Sequence, residues 1–211
     1  MNNSRTQWLI SQVAGKIILD IGFVGKGREG WGLHHRFRKK NKDSLVVALD
    51  INKKALLRLK KRNTIAGSAL YLPIKDNSID TIVLGEVIEH FYRLDHLFRE
   101  ISRVLVRSGR LYLTTPNTYS LFRWLKHWFL AKPKSLSSYQ NARSYLGDVN
   151  HKILWEPLSL ISFLKQYRLE IVSLTTKGLG FPYLDFLREM DVPFWPFNRL
   201  GEYICLIAIK K

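Results

Sequence analysis

Short aliphatic runs alternate with longer amphipathic stretches along the chain. Runs typical of buried strands lie at residues 17–21, 45–49, 79–84, 110–114 and 169–174. Helical patterns lie at about 5–13, 30–40, 53–61, 95–105 and 157–166. This alternation predicts an α/β fold with a doubly wound sheet of parallel strands and right-handed crossovers. A last apolar run, 202–209, has too little chain before it for a crossover helix, so we expect it to enter the sheet antiparallel.

A glycine-containing turn follows the first predicted strand. The run 20–27 reads D-I-G-F-V-G-K-G, and its glycines allow backbone angles and close approaches that a Cβ would block. The second predicted strand ends in Asp50. Because open α/β sheets bind ligands at the carboxyl ends of their strands, we expect Asp20 and Asp50 to converge on one crevice.

The order of residues in this turn predicts the type of ligand. A dinucleotide fold has G-x-G-x-x-G with a helix N-terminus facing pyrophosphate, whereas this chain has G-x-x-G-x-G with Asp20 two residues before the first glycine. A carboxylate there would repel phosphate and suit a cationic group, and Asp50 would suit the hydroxyls of a ribose. S-adenosylmethionine is a cationic nucleoside that fits this description.

The chain resembles the class I S-adenosylmethionine-dependent methyltransferases over about residues 8–175 and the last strand. The similar blocks are 72–84, the turn G-E-V-I-E-H at 85–90, the fifth strand and its exit at 108–117, and the segment 151–172. The resemblance implies one domain over residues 1–211, built on a Rossmann-like sheet of seven strands that is mostly parallel with an antiparallel last strand. It also implies S-adenosylmethionine as the cofactor.

The resemblance assigns cofactor contacts to eleven residues. Asp20 would lie near the amino group of the methionine part, Asp50 would accept both ribose hydroxyl protons, and Ser68 stands where many relatives have an aspartate facing adenine. The full set is Asp20, Gly22, Phe23, Gly25, Asp50, Ile51, Ser68, Ala69, Leu70, Gly85 and Glu86. Val24 and Lys26 occupy glycine positions of the common D-x-G-x-G-x-G loop, so a loop that no longer binds cofactor stays open as an alternative.

The catalytic demands of such a reaction are small. The methyl group on a sulfonium is already activated, so holding the acceptor atom in line with the methyl–sulfur bond supplies much of the rate. If the acceptor is a hydroxyl, a general base helps, and the resemblance makes His151 and His90 the candidates. A structural role at a helix start is the alternative for His90. The six histidines are scattered and form no H-E-x-x-H, so the sequence predicts no metal site.

The charge of the chain predicts an anionic partner. Its 34 Lys and Arg against 17 Asp and Glu give a formal net charge of +17, with basic clusters at 34–42 and 53–62. Nucleic acid and an acidic membrane surface both satisfy this electrostatically. A solvated helix face is the simpler explanation for each cluster alone.

Two aromatic segments bear on the acceptor. We expect an aromatic and basic insertion at about 118–147 and an aromatic segment at about 178–200 to form a cap on the acceptor side of the crevice; a plain hydrophobic cover over the sheet is the alternative. The primary hypothesis is a methyltransferase acting on a small-molecule, glycan or lipid-linked acceptor. The alternatives are an RNA methyltransferase that uses the basic surface and a non-catalytic binding protein.

Composition supports one folded domain. The 211 residues are 46% hydrophobic, as is ordinary for a globular protein, and the single Cys205 excludes an internal disulfide. The N-terminus lacks the apolar region of a signal peptide, and no stretch reaches the roughly 18 apolar residues of a spanning helix. A cytoplasmic protein is therefore the expectation, with attachment to the membrane surface as an open alternative.

Overall fold

One mixed sheet organises the residues that the computed structural model describes, namely 4–23, 29–59, 63–121, 123–124, 151–178 and 199–211. Its strands are β1 (Ile17–Ile21), β2 (Leu45–Asp50), β3 (Thr64–Ala66), β4 (Ile79–Gly85), β5 (Leu105–Pro116), β6 (Leu169–Lys177) and β7 (Tyr203–Lys210). Their order across the sheet is β3-β2-β1-β4-β5-β7-β6. The first five pair in parallel, and β7 runs antiparallel to both β5 and β6. The predicted doubly wound, seven-stranded sheet with an antiparallel last strand is confirmed.

The helices lie between the strands, as the pattern predicts. They are α1 (Ser4–Gln12), α2 (Glu29–Lys40), α3 (Lys53–Leu59), α4 (Leu94–Val104) and α5 (Pro157–Lys165), with a short 3-10 helix at Ile88–His90. Two differences from the predicted elements affect the sheet. Leu105 belongs to β5 rather than to the preceding helix, and β3 is a strand that the pattern did not mark.

Both faces of the sheet are covered by helices, which explains why its central strands are apolar throughout. In α4 the buried residues recur at helical spacing, so one face of this helix packs on the sheet. They are Leu94, Leu97, Phe98, Ile101 and Val104, and they join the larger hydrophobic cluster together with residues of α5. On the opposite face, Leu9 of α1 and Phe37 of α2 pack against Ile18 and Val83 in a second cluster.

The chain after β3 is fixed to α4 by one arginine. Arg103 donates to the carbonyl oxygens of Ile74 at 2.8 Å and Leu72 at 3.0 Å, and it forms ion pairs with Asp76 and Glu100. The amide nitrogen of Leu72 donates to the Glu100 carboxylate at 2.6 Å. These bonds hold the segment that follows β3 against α4.

Much of the predicted acceptor-side cap lies outside the described residues. Of the insertion at 118–147, the structure describes only 118–121 and 123–124, and of the segment at 178–200 only Gly178, Arg199 and Leu200. None of the described helices has both the length and the apolar character required to cross a membrane.

Candidate functional site

A cavity of about 290 Å³ opens at the carboxyl ends of β1, β2 and β4. It lies where doubly wound sheets bind ligands. The residues that line it are Ile21, Gly22, Leu49, Asp50, Ile51, Gly67, Ser68, Ala69, Glu86, Val87, His90 and Phe91. Of the eleven predicted cofactor contacts, Gly22, Asp50, Ile51, Ser68, Ala69 and Glu86 line this cavity.

Gly22 is required at its position by geometry. Its φ is +75°, and a Cβ added there would lie 2.6 Å from Cγ2 of Val87. Its amide nitrogen donates to the carbonyl oxygen of Leu49 at 2.8 Å, which ties the end of β1 to β2. Any side chain at this position would be strained and would push into Val87.

Asp50 forms one wall of the cavity at the end of β2. Its Oδ1 accepts from the amide nitrogen of Asn52 at 2.8 Å, and its carbonyl oxygen accepts from Gly67 at 3.1 Å. The neighbouring Ile51 is 78% exposed, so the rim of the cavity carries an apolar surface beside a carboxylate. This combination suits a nucleoside, with hydroxyls at Asp50 and a flat base against Ile51.

Asp20 does not line the cavity, which differs from the expectation that both strand-end carboxylates face one crevice. Its side chain is buried, and its Oδ2 lies 2.9 Å from Nδ1 of His34 on α2. Burial raises the pKa of Asp20, and the bond to His34 opposes that rise. The contact ties α2 to β1, a role that the sequence did not predict because it depends on the rotation of α2.

The remaining predicted contacts lie away from the cavity wall or outside the described residues. Phe23 is buried with Ala48 and Leu56, and its ring lies 5.2 Å from that of His34. Leu70 and Gly85 are half-buried and are not among the lining residues. Gly25 lies in the part of the chain that the structure leaves undescribed.

A second group of polar residues follows β4, beginning with Glu86. Its backbone has φ 61°, a conformation that non-glycine residues rarely adopt and that often marks functional sites. Its amide nitrogen donates to the carbonyl oxygen of Thr114 at 3.0 Å. Its Oε1 is shielded from solvent and has no hydrogen-bond partner among the described residues, and burial raises the pKa of its carboxyl.

Glu89 is the residue in this turn that sequence reasoning missed. It is fully buried, and its Oε2 accepts from Oγ1 of Thr115 at 3.0 Å. Its Oε1 is buried without a hydrogen-bond partner in the described part of the chain. Burial, helped by the negative charge of Glu86, raises the pKa of Glu89 to about 8. The spacing E-x-x-E-H at 86–90 is the signal that could have identified it.

His90 and His151, the two predicted catalytic candidates, lie side by side. Their ring centroids are 5.0 Å apart. His90 is exposed and lines the cavity, whereas His151 is half-buried. The backbone brings them together, because the amide nitrogen of Lys152 donates to the carbonyl oxygen of Glu89 at 2.6 Å.

The segment that carries His151 is also anchored to the end of β5. The backbone of Asn117 pairs with that of Trp155, and the amide nitrogen of Thr118 donates to the Trp155 carbonyl oxygen at 2.9 Å. Glu156 then caps α5 by accepting from the amide nitrogen of Leu158 at 2.8 Å. These contacts fix the chain that follows His151.

Side-chain ligand atoms of Glu89, His90 and His151 all lie within 4.8 Å of one another. This grouping differs from the expectation of scattered histidines. The histidines are far apart in sequence, and the fold joins them through the Lys152–Glu89 backbone bond. The candidate site therefore has two parts that meet at His90: the cavity at the strand ends, and a cluster of one carboxylate and two imidazoles.

Comparison with known proteins supports a methyltransferase fold. A family model described as a methyltransferase domain matches residues 19–113. An uncharacterized protein of Methanocaldococcus jannaschii is 36% identical over 108 residues, which cover 51% of this chain and 44% of that relative. A probable S-adenosylmethionine-dependent methyltransferase of Mycobacterium tuberculosis is 34% identical over 76 residues, which cover 34% of this chain and 28% of the relative. The chain thus spans less than half the length of these two relatives.

Solved structures extend the similarity of fold to nearly the whole chain. A Thermotoga maritima structure, described as a SAM-dependent methyltransferase and possible histamine N-methyltransferase, has a TM-score of 0.71 at 17% identity and covers 99% of this chain and 88% of its own. A SAM-dependent methyltransferase from Archaeoglobus fulgidus has a TM-score of 0.64, also at 17% identity, and covers 97% of this chain and 94% of its own. At 17% identity, this structural similarity establishes the fold alone.

Proposed function

We propose that this chain, whose residues 19–113 match a model of a methyltransferase domain, transfers a methyl group from S-adenosylmethionine to a hydroxyl oxygen of a small-molecule, glycan or lipid-linked acceptor. One observation carries the proposal: His90 lines the cavity, and the ring of His151 lies 5.0 Å from it. The cofactor cavity is thus continuous with a pair of imidazoles. A hydroxyl acceptor needs such proton-accepting groups, whereas an amine or a thiol needs them less.

The residues of the cavity fit S-adenosylmethionine, the cofactor that the family implies. Asp50 offers a carboxylate to the ribose hydroxyls, and Ile51 with Ala69 offers apolar surface to the base. Gly22 removes the side chain that would narrow the cavity beside Val87. When bound, the cofactor supplies a methyl group on a positively charged sulfur, which needs no further activation.

The chain's own contribution is to hold and deprotonate the acceptor. His90 and His151 place ring nitrogens where an acceptor hydroxyl beside the cavity would meet them. The backbone that follows His151 is fixed by hydrogen bonds to Glu89 and Thr118. This keeps the geometry in place, and alignment supplies much of the rate in methyl transfer. The predicted cap at 118–147 and 178–200 would then shape the entrance for the acceptor.

Calorimetry with S-adenosylmethionine tests the cofactor part of the proposal. The wild-type chain should bind it, and Asp50→Ala should weaken binding by about 1 to 3 kcal/mol through loss of hydrogen bonds to a charged group. Asp43→Ala is the matched control, since this exposed aspartate lies between α2 and β2 and away from the cavity. Absence of binding to the wild type would favour the non-catalytic alternative.

The net charge of +17 supports RNA methylation as a second candidate. Retention of the protein on structured RNA and on anionic vesicles, each measured across a salt series, separates the candidates. Binding to RNA with a steep salt dependence and no retention on vesicles would favour RNA and defeat a lipid-linked acceptor at a membrane surface.

A further inference from the structure

We propose that Glu89, His90 and His151 bind a divalent transition-metal ion at the edge of the cofactor cavity, and that this ion coordinates the acceptor hydroxyl. The inference rests on the proposed function and deepens it, because it names what acts on the acceptor oxygen. It also replaces the sequence-based expectation that the chain holds no metal.

The donor atoms have the spacing that an ion requires. Atoms from all three side chains lie within 4.8 Å of one another. Donors around an ion with bonds near 2.1 Å are roughly 3 to 4 Å apart, so small side-chain rotations complete the site. His90 lies at the exposed side of the cluster, whereas Glu89 is buried.

The carboxylate of Glu89 gives an independent indication of a ligand. The side chain is 0% exposed, and its Oε1 has no hydrogen-bond partner among the described residues. Thr115 donates to Oε2 at 3.0 Å, which orients the carboxylate and leaves Oε1 to bind something else. Such an outer hydrogen bond to a metal-binding carboxylate is a common feature of metal sites. A buried carboxylate oxygen without a partner is costly, and a cation would remove that cost.

The donor set indicates which ions fit. Two imidazole nitrogens and one carboxylate oxygen suit first-row ions such as Mn²⁺, Co²⁺ and Zn²⁺ better than Mg²⁺ or Ca²⁺, which prefer oxygen ligands. Three protein ligands also leave coordination positions for an acceptor oxygen. Glu86, with its own shielded Oε1, adds negative charge close to Glu89.

This arrangement gives the reaction a balanced course. Coordination lowers the pKa of the acceptor hydroxyl, and its proton leaves to solvent. The oxygen lone pair then forms a bond to the methyl carbon, and the carbon–sulfur bond breaks with its electron pair remaining on sulfur. With their ring nitrogens bound to the ion, the histidines act on the acceptor oxygen through it, and this role replaces the direct proton removal proposed above for the metal-free pair.

Titration of the chelator-treated protein with Mn²⁺, followed by calorimetry and by electron paramagnetic resonance, tests the proposal. We expect one site per chain and at least a tenfold weaker affinity in His90→Ala, His151→Ala and Glu89→Gln. His96→Ala is the matched control, because His96 also lies near a carboxylate, with its Nε2 3.5 Å from Asp95, but on α4 outside the cluster. His90 is exposed, so His90→Ala should fold like the wild type.

Two results would overturn the proposal: no Mn²⁺ binding by the wild type, or equal affinity in the wild type and the three cluster variants. Calorimetry with S-adenosylmethionine in chelator keeps this test separate from that of the proposed function. If the protein binds the cofactor but not Mn²⁺, the metal proposal is wrong and the proposed methyl transfer stands. If the wild type binds Mn²⁺ and the cluster variants do not, the metal proposal is supported even when the cofactor fails to bind.

Discussion

Glu89 and Glu100 are two carboxylates close in sequence whose surroundings are opposite. Glu100 on α4 accepts from Nε of Arg103 at 2.7 Å and from the amide nitrogen of Leu72 at 2.6 Å, and the bonds from Arg103 lower the pKa of its carboxyl. Glu89 is fully buried, accepts a side-chain bond from Thr115, and has its pKa raised to about 8 by burial.

The difference separates a carboxylate that builds the fold from one that the proposed metal site would use. The carboxylate of Glu100 binds the segment after β3, and that segment carries part of the cavity wall. By contrast, the side chain of Glu89 makes few bonds to its surroundings and destabilises the fold when it is ionised. Proteins retain such groups where function needs them, at a cost in stability.

The largest expected change in the free energy of unfolding comes from Glu89→Gln, measured at two pH values in the presence of a chelator. The folded-state pKa of Glu89 lies above the unfolded value of 4.5, so ionisation destabilises the fold as pH rises between 4.5 and about 8. Gln does not ionise. The two proteins should therefore have similar unfolding free energies at about pH 4, and the variant should be more stable by on the order of 5 kcal/mol at about pH 9. Urea denaturation measures both values.

Glu100→Gln is the control for that experiment, since it should lower stability at neutral pH instead of raising it. If both variants changed stability in the same direction, the contrast between the two carboxylates would be wrong.

A smaller loss is expected when the structural cluster is broken at Arg103. Arg103→Ala removes the bonds to the carbonyl oxygens of Leu72 and Ile74 and leaves Glu100 and Asp76 without their cation. We expect a loss of about 2 kcal/mol in the free energy of unfolding, the scale of several hydrogen bonds to a charged group at a partly exposed site.

Arg99→Ala is its matched control, an exposed arginine one turn earlier on α4, and should change stability by less than about 0.5 kcal/mol. A loss as large in Arg99→Ala as in Arg103→Ala would show that the helix, rather than the cluster, is responsible.

The sequence predicts the cofactor side of the site better than the acceptor side. Gly22 and Asp50 follow directly from strands whose apolar runs are unambiguous, so their place at the carboxyl edge could be predicted. Ser68 and Ala69 were assigned by resemblance and do line the cavity. β3 was missed because three residues are too few to give a period.

The acceptor side depends on contacts that local sequence does not encode. The bond from Lys152 to the carbonyl oxygen of Glu89, which brings His151 to His90, joins distant segments. The pairing of Asp20 with His34 likewise depends on how α2 packs on the sheet. The burial of Glu89 follows from the packing of the whole domain, although its spacing from Glu86 and His90 is visible in the chain.

The smallest expected effect is the acid sensitivity of the Glu100 cluster. The folded-state pKa of Glu100 lies below the unfolded value of 4.5, so its contribution to stability is fully present above that value and is lost as pH falls below it. The free energy of unfolding of the wild type should therefore exceed that of Glu100→Gln by about 1 kcal/mol at pH 7, and the difference should vanish at acid pH. Thermal melts between pH 3 and pH 7, at steps of about half a pH unit, measure how the stabilities of the two proteins converge.

Glu170→Gln serves as the control, because Glu170 pairs with Lys211 at 3.1 Å through side chains that are more than half exposed. Its stability should follow that of the wild type at every pH. A constant gap between wild type and Glu100→Gln at every pH would mean that shape rather than charge matters at Glu100, and the comparison with Glu89 would then rest on burial alone.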